Sequence, residues 1–304
     1  MFSIGDYLKD SKLHNQINLI KLSDKDLKFL QDSILDVYKD ILLVCEKYGF
    51  HVMMVAGSAI GAIRHKGFIP WDDDMDMLIS RRDYYEFLKC FSKEFGDKYY
   101  ITSPFSITKY NDYCIHIIRK DITLVSLFDF SQLFPNGVAV DICTYENVPE
   151  NCFLRFFHGF ISDILLFTTN SKRIFMCRNK YSDSFFTLNW KSKIMYYIRI
   201  IIGALLSFIS YSAFCSCLDK WISLYKDKKS TYVTIPTGYL HYFGEKVPSD
   251  VFDPVSCSTF EGLKAFIPNR VDVYLENRYG KDYMIIPPKE KQESHPVVSF
   301  SRNQ

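Results

Sequence analysis

The run Asp72-Asp73-Asp74-Met75-Asp76-Met77-Leu78-Ile79 leaves a folded chain few options. Four acids fall within five positions, and the last alternates with methionines before an apolar strand. Alternate side chains of a strand share a face, so Asp74 and Asp76 point one way while Met75 and Met77 enter a core. Carboxylates this close repel one another, and burial penalises each further. A divalent cation removes both difficulties. Two hard oxygen ligands on one rigid strand suit Mg2+ or Mn2+. Asp72 and Asp73, just before the strand, each either add a ligand or stay solvated. A calcium loop would spread its acids over about twelve residues with a glycine at the sixth, which this run does not do.

A cradle for two metals needs a third acid. Asp141 is the candidate, a single charge inside Gly137-Val138-Ala139-Val140-Asp141-Ile142-Cys143. An Asp flanked by Val and Ile is rarely left unpaired in a core; the structural alternative is a strand-end Asp bonded to a neighbouring loop. Upstream, Phe50 to Val55 reads as a strand ending at Gly57-Ser58, where a glycine lets backbone amides approach a phosphate. Residues 59–64 read as a short helix beyond that turn.

The rest of the chain is read around this site. Ser23 with Asp26 resembles a capping box, and Leu27, Leu30, Ile34, Val37, Ile41, Cys45 and Tyr48 recur at helical spacing up to Gly49. Ser80 caps a second helix over 81–95. Strands are expected at 113–119, 122–128 and 138–143. The order predicts an α+β fold, a mixed sheet with helices on one side. Residues 1–150 form the expected core, 151–235 an apolar helical insert, and 236–304 a segment returning to the core, with a short helix over 269–279 closed by Gly280. Within the insert, Ile200 to Leu218 carries no charge, close to the roughly 20 residues that span a bilayer. Lys191, Lys193 and Arg199 sit just before it. A buried helical pair, a helix lying in the membrane surface and a true span all compete, with burial or surface docking favoured because serines dilute the run.

Composition narrows the function classes. The 304 residues are 48% apolar, enough for a sizeable core, and the net charge of only +2 points away from nucleic acid. Met1 to Asp6 shows no secretory pattern. Nine scattered cysteines with no C-x-x-C pair fit free thiols in a reducing cytoplasm. A cytoplasmic protein, peripheral to the membrane if the insert docks, is the expectation.

Gly61-Ala62-Ile63-Arg64-His65-Lys66-Gly67-Phe68-Ile69-Pro70-Trp71-Asp72-Asp73-Asp74-Met75-Asp76 resembles the signature of the LicD family, to which the fukutin-like transferases are related. The likeness continues through Arg81 and Asp83-Tyr84, Val140-Asp141-Ile142, Asn147-Val148-Pro149, Tyr274-Leu275, Tyr279-Gly280, Pro287-Pro288 and His295. It covers residues 50–150 and 258–296 well and the insert poorly. The chain departs from the pattern at Ala59-Ile60, Cys143-Thr144 and Gln292.

The resemblance implies a nucleotidyltransferase-like fold. It also implies transfer of a phosphorylated small group, typically phosphocholine from CDP-choline, to a hydroxyl of a surface glycan. In that reading Asp74, Asp76 and Asp141 are catalytic and hold Mg2+ or Mn2+ together with Asp72. Gly57, Ser58, Arg64, His65 and Lys66 bind substrate. Arg81 is a further phosphate candidate or a surface residue of a first helical turn, and His295 lines the site or lies on the surface. The partners are a CDP-linked donor and a glycan acceptor, lipid-linked if the enzyme works at the inner membrane face. Two rivals stand beside this: transfer of a nucleoside monophosphate from NTP to a small acceptor, which needs the same carboxylates, and a non-catalytic scaffold at the membrane surface.

Overall fold

The computed structural model describes residue 20 and residues 22–105, 110–126, 135–187, 190–292, 294–295 and 297–302. The segment Met1 to Asp6, read above for a leader, lies outside them, as do the last two positions of the strand expected over 122–128.

The first helix, α1 (Asp24–Tyr48), starts and stops where its caps predict. Ser23 Oγ accepts from the Asp26 backbone N–H and donates to its carboxylate, and Gly49 takes the left-handed conformation at φ 78°. Strand β1 is only Met53–Met54, shorter than expected. The Val55 N–H donates to the Asp76 carbonyl, and the chain then turns into α2 (Ala56–Ile60) and a π-helical turn over Gly61–His65. Gly57 and Ser58 therefore lie inside a helix, not on a turn ahead of one. Strand β2 (Asp76–Ser80) leads into α3 (Arg81–Phe95), whose cap is Ser80 as expected.

Strands β3 (Tyr99–Ser103), β4 (Tyr110–Asn111), β5 (Ile115–Arg119), β6 (Ile122–Ser126) and β7 (Ala139–Asn147) follow. The helical segment is α4 (Cys152–Cys177), α5 (Lys180–Phe186), α6 (Trp190–Leu205) and α7 (Tyr211–Ile222). Then come β8 (Tyr232–Thr234), α8 (His241–Gly244), β9 (Val247–Pro248), the hairpin β10 (Ser256–Phe260) and β11 (Leu263–Ile267), α9 (Val271–Tyr279) and β12 (Val297–Arg302).

The main sheet runs β10-β11-β1-β2-β7-β5-β3-β4, with β8 and β9 joined to the far end of β7. It is mixed, as expected: β2–β7 and β1–β11 are parallel, while β1–β2, β5–β7 and β3–β5 are antiparallel. Strand β12 pairs with β6 in a separate two-stranded sheet. The hairpin β10–β11 was not foreseen, because Ser256-Cys257-Ser258-Thr259 lacks an apolar alternation. One core cluster joins α1, α3, α9 and the sheet, with Leu30, Val37, Ile41, Leu78, Phe87, Phe91, Ile142, Phe260 and Leu275 essentially inaccessible to solvent.

The helical segment has a smaller cluster of its own, Leu166, Leu218 and Ile222, on which Tyr113 and Trp221 pack. The uncharged run 200–218 is not one helix. It breaks between Leu205 and Tyr211, so it supplies no continuous span. Among the described residues the helix with the length and hydropathy to cross a membrane is α4. Polar side chains tie it to the rest of the fold: His158 bonds Tyr242 and the Trp221 carbonyl, and Asp163 accepts from the Tyr242 N–H. Its other face leaves Phe153, Phe156, Phe157 and Phe160 more than half exposed.

Candidate active site

The carboxylates are placed by strand register. Asp76 on β2 is the register partner of Asp141 on β7, and Asp141 is the partner of His116 on β5. Residues directly opposite across a ladder share a face, so three adjacent strands put Asp76, Asp141 and His116 in one row. The alternation read from the sequence holds, with Met75 and Met77 buried and Asp74 and Asp76 partly open. Strand β7 alternates without a break, burying Val140 and Ile142 and turning Asp141 outward.

A cleft of about 370 Å³ opens over this row. Asp73, Asp74, Asp76, Asp112, His116, Asp141, Arg173 and His295 supply charged and titratable groups to its lining, and Cys114 and Cys143 lie in its wall with sulfurs 3.1 Å apart. All nine cysteines are free thiols. His295 belongs to the cleft: its backbone N–H and Nδ1 reach the Asp73 carboxylate at 3.0 and 2.9 Å, and Nδ1 lies 3.7 Å from Asp74. Asp73 is thus a partner of His295 and not a spare acid.

Electrostatics follow from that packing. Burial first, and then the neighbouring acids Asp74 and Asp73, push the Asp72 carboxyl up to about 9, and Asp72 shares a hydrogen bond with Asp74. Burial and the charges of Asp74 and Asp141 lift Asp76 to about 7, and burial likewise raises Asp74. The hydrogen bond to Asp73 carries His295 to about 10, against the effect of its burial. Burial disfavours charging of His116, but Asp141 and Asp112 outweigh it and raise the ring well above its usual value.

Sequence reasoning missed the chain of partners behind Asp141. His116 Nδ1 lies 2.6 Å from Asp141 Oδ1, and its Nε2 lies 3.5 Å from Asp112. Asp112 is buried, accepts from Tyr211 Oη at 3.2 Å and lies 3.7 Å from an Arg173 guanidinium nitrogen. The one signal available was His116 alternating with Ile115 and Ile117, a polar residue on an otherwise apolar strand. Arg173 and Tyr211 come from α4 and α7, and no local pattern links them to β5.

Other candidates lie elsewhere. Gly57 backs onto Asp72, whose oxygen would sit 3.0 Å from an added Cβ. Ser58 Oγ accepts from the Asp76 N–H at 3.0 Å, so its visible work is to hold the acidic strand. Arg64 Nε donates to His65 Nε2, and an Arg64 guanidinium nitrogen donates to the Tyr283 carbonyl. Burial and the Arg64 charge depress the His65 pKa. Lys66 is exposed at φ 58°. Arg64, His65 and Lys66 do not appear among the residues lining the carboxylate cleft.

Arg81 lies away from both places the sequence suggested for it. It is buried, neither a surface residue nor open to a phosphate. Its nitrogens donate to Glu146 and Asp219, each at 2.7 Å, and to Thr144 at 3.1 Å. It clamps α3 to β7 and α7. A first-turn arginine looks like a solvated residue until Glu146 and Asp219 arrive from distant sequence.

The donor set fits a hard divalent cation. Carboxylate oxygens suit Mg2+ or Mn2+, and the raised pKa values of Asp72, Asp74 and Asp76 reflect burial first and the crowding of the acids second. Among the described residues no three acids, histidines or cysteines already converge on one point as ligands. Asp141 is engaged by His116 and Asp73 by His295, so a cation held here would compete with His116 for the Asp141 oxygen.

Acids brought together on adjacent parallel strands of a mixed sheet, with a helix entered directly from the neighbouring β1, define a transferase of the nucleotidyltransferase fold. Residues 49–148 match the family model for the LicD/FKTN/FKRP nucleotidyltransferase domain. The chain is 27% identical over 285 residues to the lipopolysaccharide cholinephosphotransferase LicD of Haemophilus influenzae, covering 91% of this chain and 97% of that protein. Residues 49–148 are thus similar to the LicD nucleotidyltransferase domain, and nearly the whole chain is similar to a LicD-type phosphotransferase.

Proposed function

We propose that the protein transfers phosphocholine from CDP-choline to a hydroxyl of a cell-surface glycan of the lipopolysaccharide type. The observation that carries this is the row Asp76–Asp141–His116 beneath a cleft that also holds Asp74 and His295. The relative that aligns along nearly the whole chain is named for cholinephosphate transfer to lipopolysaccharide, which supports the choice of donor group and acceptor.

Asp74, Asp76 and Asp141, with Asp72 beside them, would hold Mg2+ or Mn2+. Bound there, it would supply positive charge to neutralise the donor diphosphate. The glycan hydroxyl attacks the distal phosphorus in line, a new P–O bond forms, and the bond to CMP breaks. Asp141, its side chain 45% exposed to the cleft, accepts the hydroxyl proton while His116 fixes its orientation. His295, held by Asp73, turns a cationic ring toward the donor phosphates. The exposed phenylalanines of α4 rest on the membrane surface and bring the enzyme to a lipid-linked acceptor.

Incubation with CDP-choline, Mg2+ and lipopolysaccharide, followed by CMP release and by choline incorporation into the glycan, tests the reading. Pyrophosphate release from an NTP, with none of CMP from CDP-choline, would replace it with nucleotidyl transfer.

A further inference from the structure

A second cavity, of about 180 Å³, lies between α4, α5 and α6 and is lined by Asn170, Arg173, Ile174, Ser182, Phe186 and Arg199. Its chemistry differs from that of the carboxylate cleft: two guanidiniums and an amide, with the Cys177 thiol, a Ser182 hydroxyl bonded to the Asn179 backbone and apolar surface around them, and no acid among the described residues. The volume is that of several waters, enough for a phosphate group. Arg199 stacks over the Phe167 ring at 4.6 Å and has no carboxylate partner among the described residues. Burial lowers its pKa, as expected for a cation taken from water without an anion. A partly buried cation in that condition is costly unless paired, and a guanidinium is suited to phosphate oxygens through paired N–H donors.

Arg173 links the two cavities. It lines this pocket and the carboxylate cleft alike, and at the cleft it lies 3.7 Å from Asp112, the residue behind His116. A phosphate held by Arg173 and Arg199 is therefore one side chain away from the reacting groups. In the transfer reading the donor diphosphate belongs with the acids and their cation, which leaves this arginine-lined cavity to the other substrate.

We propose that the pocket between α4, α5 and α6 is an oxyanion subsite for a phosphate group carried by the acceptor. The assignment rests on the transfer reading above and adds a chemical requirement to it: the acceptor is a phosphorylated glycan or a glycan on a lipid phosphate. Arg199 is the principal anion ligand and Arg173 the shared one.

The test uses the full chain and inorganic phosphate, titrated in EDTA so that no metal carries phosphate into the carboxylate cleft. Calorimetry should show binding to the wild type. Arg199→Gln should weaken it about tenfold or more, with Arg199→Lys, which keeps the charge, in between. Equal affinity in all three proteins, or no binding to the wild type, overturns the subsite. Should Arg199→Gln fail to fold, the Arg199→Lys comparison still decides. Citronellyl phosphate in micelles and galactose 1-phosphate are then used as competitors. Displacement by the first supports a lipid-linked source, displacement by the second a phosphorylated sugar, and displacement by neither overturns the acceptor assignment. CMP release from CDP-choline is followed separately. Its absence alongside intact, Arg199-dependent phosphate binding overturns the donor reading and leaves the subsite standing; the reverse result overturns only the subsite.

Discussion

Asp76 and Asp141, 65 positions apart in the chain, are register partners across the parallel β2–β7 pair. The Asp141 N–H also donates to the Met75 carbonyl at 3.1 Å, so the ladder continues between the two aspartates of β2 and its approach. Two acids that repel are thereby held by backbone hydrogen bonds they cannot break alone. Removing either charge should cost chemistry and not the fold. We expect Asp74→Asn and Asp76→Asn to lower turnover by about a thousandfold, the scale of losing several kcal/mol of charge stabilisation. CMP release measures this. Thermal melts should show Mg2+ stabilising the wild type and neither variant, and equal stabilisation of all three would end the metal assignment.

The raised acids give the metal-free protein a characteristic pH response. Free aspartates titrate near about 3.9 in an unfolded chain, whereas here Asp76 titrates at about 7 and Asp72 at about 9. The folded state holds these protons more tightly than the unfolded state, so their contribution is fully present below about pH 4. It is lost as pH rises, through about 7 for Asp76 and about 9 for Asp72. Melting of the EDTA-treated protein should therefore fall across that range, and Asp72→Asn should flatten its upper part. Mg2+ binding at pH 7 should release protons, measurable as a buffer-dependent heat in calorimetry.

His116 orients Asp141 without a place of its own among the proposed ligands. His116→Gln should lower kcat about 10- to 100-fold, the range usual for a residue that orients a ligand. A merely structural role would leave the Mg2+ concentration for half-maximal activity unchanged. We expect that concentration to shift, and steady-state kinetics across a Mg2+ series reads it directly.

The Arg81 clamp makes a stability prediction. Arg81→Met leaves Glu146 and Asp219 buried without their cation, and breaking a buried pair in this way costs about 3–5 kcal/mol. Urea unfolding should show the loss. Replacing Arg81, Glu146 and Asp219 together with apolar residues should recover much of it. A change below about 1 kcal/mol in the single variant would mean the clamp contributes little.

The exposed aromatic face of α4 should place the protein on membranes without threading it through them. We expect cosedimentation with anionic vesicles, release by alkaline carbonate, and loss of binding in the variant Phe153→Ser/Phe156→Ser/Phe160→Ser. Resistance to carbonate would show that α4 crosses the bilayer.

Elements whose signals are local can be read directly from the chain. Ser23 and Gly49 bound α1, Ser80 starts α3, Gly280 follows α9, and the alternation Asp74-Met75-Asp76-Met77 puts acids on one face and thioethers in the core. Each depends on contacts within a few residues, through caps and strand period. What those residues meet depends on how the elements pack. Arg81 has a first-turn sequence context and a buried ionic fate, because Glu146 and Asp219 reach it from β7 and α7. The uncharged run 200–218 has the length of a span, yet it folds as two helices whose buried faces pack on α4. His116, Asp112 and Arg173 share a cleft only because β5 pairs with β7 and α4 brings Arg173 within 3.7 Å of Asp112. Strand pairing and helix docking join residues far apart in the chain through burial and register, and neither leaves a periodic trace in the sequence.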